Sequence, residues 1–134
     1  MSLETYLKSK SIHHSLFIKI DVEGYDEILI REIIKFKEDN LISIISELHV
    51  DADSLSFLNE ISRHFYIYDL FYCPNPTRFN KIEPEQFDHF IKKDLKNREY
   101  GYTDLFLLDK RTPNIEILIE KLGTLKRKKD QMIL

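Results

Sequence analysis

Glycine is scarce in this chain. Three of its 134 residues are glycine, Gly24, Gly101 and Gly123, and no two of them are near neighbours. That spacing excludes a G-x-G-x-x-G dinucleotide turn and a G-x-x-x-x-G-K-[ST] phosphate loop, both of which need clustered glycines to bring backbone N–H groups against phosphate. Cysteine is scarcer still. Cys73 stands alone, so an intramolecular disulfide and a cysteine-based zinc cluster are both excluded. No apolar run approaches the ~18 residues that span a bilayer, and the polar stretch from Met1 to His14 lacks the apolar core of a secretory signal. The formal net charge of −3 provides no global positive field to attract nucleic acid. These absences lead to the expectation of a reduced, soluble, cytoplasmic protein with no nucleic-acid and no membrane partner.

What is present has the balance of a folded domain. Hydrophobic residues make up 43% and charged residues 32%, unlike a disordered chain of low hydrophobicity, and the length suits one domain. Ser2 to Lys10 reads as a short helix. Leu16-Phe17-Ile18-Lys19-Ile20-Asp21 reads as a buried strand, from its length and its β-branched and aromatic content. Gly24 follows, where a chain leaving a strand often needs an unusual backbone angle. Helical spacing then places Tyr25, Ile28, Leu29, Ile33 and Phe36 on one face as far as Glu38. A second strand runs from Leu41 to Leu48 with both faces expected to be covered. A helix capped by Asp51 or Asp53 follows, with Leu55, Leu58, Ile61 and Phe65 inward. Phe65 to Phe71 forms a third strand, Cys73 to Thr77 a loop broken by two prolines, and Pro84 opens a helix with a Phe87, Phe90, Ile91 and Leu95 stripe. Thr103 to Leu108 is a fourth strand, and a last helix stops at Gly123. Residues 1–123 are thus read as a single α/β domain, with a layered sheet that is at least partly parallel. Residues 124–134 form a tail whose basic run is Lys126 to Lys129.

The octapeptide Ile18-Lys19-Ile20-Asp21-Val22-Glu23-Gly24-Tyr25, a helix, and then Ile45-Ser46-Glu47-Leu48-His49 resemble the C-terminal half of FkbM-type methyltransferases. That family shows a "K-I-D-V-E-G" strand end, a helix, and an apolar strand ending in "E-x-H". The opening Ser2-Leu3-Glu4 helix and the final strand also look like the family's, so the resemblance covers roughly residues 2 to 109. It implies a partial Rossmann-like (class I methyltransferase) sheet of about four strands with flanking helices. The N-terminal half that carries the glycine-rich cofactor turn would be lacking. It further implies S-adenosylmethionine as cofactor and transfer of its methyl group to a hydroxyl of a small-molecule acceptor, such as a sugar or secondary metabolite. Asp21 and Gly24 would then lie beside the cofactor. The alternative is a catalytically inactive, truncated methyltransferase-like domain acting as a binding or assembly module.

Candidate chemistry sits at the strand ends, where open α/β sheets place their ligands. Asp21 and Glu23 are expected to position an acceptor hydroxyl or take its proton, or else to cap the following helix. A charge ending a buried apolar strand is costly without a purpose, which favours function for Asp21. Glu47 and His49, two residues apart on one strand face, would converge on the same point from ~5 Å away. Asp21, Glu47 and His49 are also acceptable magnesium, manganese or zinc ligands, although their spacing is no recognised metal signature and no metal is assigned. Arg78, Phe79 and Tyr100 are candidates for holding the acceptor, on the crevice side of the third strand. His13, His14 and Cys73 read as ordinary loop residues. Finally, the resemblance implies that the first strand would lack the neighbour it pairs with in full-length members of that family. Its apolar edge is expected to be covered by a second copy or by a separately encoded cofactor-binding half.

Overall fold

A computed structural model describes Thr5 and residues 15–35, 37, 40–70, 80–98 and 101–113. Apart from Thr5, the expected opening helix lies outside the described residues. So do the Cys73–Thr77 loop, the final helix and the basic tail, and with them His13, His14, Arg78, Phe79 and Tyr100.

The element order is β1 (Leu16–Ile20), α1 (Asp26–Lys35), β2 (Ile42–His49), α2 (Ser54–Ile61), β3 (Phe65–Asp69) and β4 (Asn80–Ile82). After these come a 3-10 turn (Pro84–Gln86), an α-helical turn α3 (Phe87–His89), a π-helical segment (Phe90–Leu95) and β5 (Tyr102–Asp109). The fold is a mixed α/β one built on an open five-stranded sheet, ordered β1-β2-β5-β3-β4. β1 runs parallel to β2, joined by the α1 crossover that parallel neighbours require, with Leu16 opposite Ile42 and Ile20 opposite Ser46. The β2–β5, β5–β3 and β3–β4 pairs are all antiparallel. The expected parallel character is therefore confined, among the described residues, to one pair of strands. A fifth strand, β4, is too short to be read from sequence.

One face of the sheet carries the main core. Ile42, Ile44 and Leu48 of β2, Leu105 and Leu107 of β5, and Phe65 and Ile67 of β3 alternate onto it and meet the buried sides of the helices. Each such side chain contributes ~1.5–3 kcal/mol of burial energy. The expected stripe Phe87, Phe90, Ile91 and Leu95 is buried throughout. The opposite face bears a smaller cluster of Tyr68, Phe106 and Leu108. β2 accordingly alternates between buried and half-buried positions and is not equally covered on both faces.

The phase of α1 differs from the expectation. Ile30 and Ile33 are the buried residues, with Leu29 and Ile34 packed beside them, whereas Tyr25 is 61% and Ile28 53% exposed. The helix begins at Asp26, one residue after Tyr25, and its two neighbouring rows of isoleucine both satisfy a 3.6-residue period. Packing on β2 selects the Ile30–Ile33 row.

Two buried carboxylates tie the ends of the sheet. Asp109, fully buried at the end of β5, accepts hydrogen bonds from Lys37 Nζ at 2.7 Å, the Ile42 N–H at 3.2 Å, and Arg111 through its backbone N–H and guanidinium. Burial alone would raise the Asp109 carboxyl; the hydrogen bonds from Arg111, Lys37 and the backbone outweigh it and hold the group well below the usual range. Burial pushes the Lys37 ammonium down, which its Asp109 partner offsets only in part. Arg111 also donates to the carbonyls of Lys37 and Asn40, which fastens the α1–β2 connection. At the other end, Asp69 accepts a two-pronged hydrogen bond from Arg98, at 3.2 and 2.5 Å, and a third from Thr103 Oγ1 at 2.5 Å.

Candidate functional site

The parallel strands β1 and β2 end at the same edge of the sheet. Beyond them lies an open crevice of about 470 Å³, and its lining includes Asp21, Glu23, Gly24, Glu47 and His49. The structure thus brings together five residues singled out in the sequence. Arg78, Phe79 and Tyr100 fall outside the described residues and are not placed.

The turn from β1 into α1 explains the position of Asp21 and Glu23. Gly24 has φ of +83°, a left-handed conformation that only glycine adopts at little cost. It reverses the chain so that Tyr25 N–H reaches the Val22 carbonyl at 2.9 Å. Neither Asp21 nor Glu23 caps α1. Asp26, the first residue of α1, ties the turn down instead: its Oδ1 accepts the Val22 N–H at 3.3 Å and its Oδ2 accepts the hydroxyl of buried Ser46 at 2.8 Å. Asp21 and Glu23 are exposed and, among the described residues, make no hydrogen bond or ion pair. The desolvation argument for Asp21 therefore fails: β1 is not the buried strand expected, since Ile20 alone of its five residues is buried and Phe17 is 63% exposed, and the carboxylate stays in water. Its place on the crevice wall is what keeps it a candidate.

Glu47 and His49 share one strand face, and the Glu47 carboxylate contacts His49 Nε2 directly. The His49 ring lies 5.4 Å from that of Tyr102, its partner on β5, tilted by 37°. A carboxylate on one side and an aromatic ring on the other fix the imidazole at the mouth of the crevice. Among the described residues no group of three His, Cys, Asp or Glu side chains is placed to hold a metal ion. The Glu47–His49 contact turns these two side chains onto each other.

Sequence reasoning missed part of the lining: Asp26, Glu27, Ile28, Arg31 and Asp51 also border the crevice. Arg31 is held by Glu60 of α2 at 3.1 and 3.3 Å, lies 3.8 Å from Glu27, and sits over the Phe57 ring. Glu27 has its carboxyl raised, by burial first and then by the charge of Asp51, with Arg31 opposing. The signal for Asp26 and Glu27 was available, since acidic residues in a first helical turn complement the helix dipole. Asp51 was read only as a cap. Its Oδ1 does organise the α2 entry, accepting the Asp53 N–H at 2.8 Å and meeting Ser54 Oγ at 3.2 Å.

The crevice is consequently acidic. Among the described residues six carboxylates, Asp21, Glu23, Asp26, Glu27, Glu47 and Asp51, face one guanidinium that is already paired. Such a wall favours a cation or a proton-donating hydroxyl over a phosphate. Comparison of the chain with protein-family models, with curated proteins and with solved structures finds no match in any of the three. No helix among the described residues is long and apolar enough to cross a membrane.

Proposed function

We propose that this chain is the acceptor-side half of an S-adenosylmethionine-dependent O-methyltransferase of the FkbM type. One observation carries the reading: Asp21, Glu23, Gly24, Glu47 and His49, the residues of the resemblance, line one crevice at the C-terminal ends of two parallel strands. Among the described residues β1 is also an edge strand, which suits a sheet whose cofactor-binding half is a separate piece. The acidic wall suits the positive sulfonium, and open α/β sheets bind ligands at this end.

When bound, S-adenosylmethionine supplies an electrophilic methyl group. The residues of this chain hold the acceptor hydroxyl at the strand ends. Asp21 or Glu23 accepts the hydroxyl proton as the oxygen attacks, which is work for a carboxylate within hydrogen-bond reach. Glu47 orients His49, and His49 closes the side of the crevice toward β5. The test is calorimetric titration of the chain with S-adenosylmethionine, with Asp21→Asn and Glu23→Gln alongside. Saturable heat from the wild type, with each variant weakened about tenfold for loss of a charged partner, supports the reading. Absence of heat at millimolar ligand sinks it for this chain alone.

A second reading rests on a different observation. Phe17, on the edge strand, is 63% exposed, and Tyr25, just before α1, and Ile28, on α1, are also open. A catalytically inactive domain that assembles through this edge accounts for that exposure without any chemistry in the crevice.

A further inference from the structure

Among the described residues β1 has one strand neighbour in the sheet, β2, and no strand on its other edge. Its sequence, Leu16-Phe17-Ile18-Lys19-Ile20, has a property that concerns this edge. About Ile18 it reads the same in both directions in terms of which residues face the core. Leu16, Ile18 and Ile20 point to the helix-covered face, with Leu16 and Ile18 half-buried, while Phe17 and Lys19 point to the opposite face and are exposed. Lys19 makes no ion pair or hydrogen bond among the described residues. We propose that β1 is the interface of a two-fold symmetric dimer, in which it pairs antiparallel with β1 of a second copy, Ile18 opposite Ile18.

The pairing follows from elementary sheet geometry. A two-fold axis perpendicular to the sheet keeps both helix-covered faces on the same side and makes the joined edges antiparallel. Centred on Ile18, it sets Leu16 of each copy against Ile20 of the other, so the half-buried apolar row becomes continuous across the seam. On the opposite face each Phe17 lies against the other copy's Lys19. That places an ammonium beside an aromatic ring in two equivalent pairs and keeps the two lysines apart. A register shift of two residues would forfeit this match, and a shift of one would turn the apolar row outward. The edge would otherwise stay an open template of unpaired N–H and C=O groups with an exposed phenylalanine, the feature that monomeric sheet proteins blunt. A second copy here takes the edge that the first functional reading leaves to a separate cofactor-binding half, so the inference rests on the second reading, assembly through this edge, and not on chemistry in the crevice.

The experiment is sedimentation equilibrium of the whole chain across a concentration series, with three variants at these exposed positions. The wild type is expected at twice the 16.1 kDa chain mass. Phe17→Lys sets like charges against each other in both pairs and is expected to weaken the dimer by about tenfold, from two unfavourable cross-strand pairs. Phe17→Glu faces Lys19 of the other copy and is expected to remain dimeric. Phe17→Lys combined with Lys19→Glu restores opposite charges and the dimer with them. Circular dichroism should superimpose for all four, because no core residue changes. A wild type that stays monomeric into the millimolar range overturns the proposal, as does one that associates only with a separate cofactor-binding half. So does equal behaviour of Phe17→Lys and Phe17→Glu, which would show an apolar contact without this register.

Discussion

The carboxylate of Asp26 accepts the hydroxyl of Ser46 at 2.8 Å, joining the first turn of α1 to the strand that carries Glu47 and His49. Its second oxygen takes the Val22 N–H of the turn that carries Asp21 and Glu23. One side chain therefore sets the two halves of the crevice wall relative to each other. A double-mutant cycle with Asp26→Ala and Ser46→Ala is expected to give a coupling of about 1.5 kcal/mol, the range of a hydrogen bond to a charged group. Asp26→Ala should cost more than Ser46→Ala, because it also releases the Val22 N–H. Urea denaturation of the four proteins measures both, and a coupling near zero would show that the contact does not hold the turn to the strand.

Asp109 gives a pH dependence of known sign. Its carboxyl is held well below the ordinary value by Arg111, Lys37 and two backbone N–H groups, against the opposing effect of burial. The folded value lies below the unfolded value of ~3.9. The stabilisation is thus fully present above that value and is lost as pH falls through the folded one. Asp109→Asn is expected to remove about 3 kcal/mol at neutral pH, as breaking one side of a buried ion pair does. It should also flatten the acid limb of the stability profile below about pH 4. Chemical denaturation at a series of pH values checks both, and an unchanged acid limb would refute the assignment.

Gly24 offers a test of strain without steric clash. A Cβ added there meets nothing within 4 Å, but φ is +83°. Gly24→Ala should therefore cost about 1 kcal/mol from the left-handed backbone alone. Gly24→Asn should cost less, because asparagine tolerates this region. Thermal unfolding of the two variants ranks them, and equal losses would point to a turn that rearranges.

The strands and helices of the described residues were largely legible, because apolar runs and 3.6-residue spacing act locally. Leu16–Ile20, the Phe87–Leu95 stripe and the Thr103–Leu108 strand were all readable for that reason. The order of the strands was not, since nothing local to Thr103–Leu108 tells that it lies between β2 and β3. Ile28 was placed on the inward face of α1 and Ile30 was not, because spacing alone does not separate the two rows and packing on β2 does. At the crevice, Asp21, Glu23, Glu47 and His49 were found because they stand at strand ends, and Gly24 through the family resemblance. Arg31 was not singled out. Its ties to Glu60 and Phe57 depend on where α2 lies, which no spacing within α1 encodes.

The central place of β5 has a consequence for how the sheet comes together. Ser43 pairs with Leu108 and Phe65 with Asp109, so β5 supplies the ladder that joins β1–β2 to β3–β4. Until residues 102–109 are available, those two pairs have no strand between them to share. Sheet closure is then a single late event of high contact order, and such contacts form slowly because a long loop must close before they reward it. A nascent chain whose synthesis has not yet reached β5 would leave one edge of β2 and one of β3 open at once. During synthesis it is these two inner edges, more than the outer edge at β1, that most need shielding from other chains.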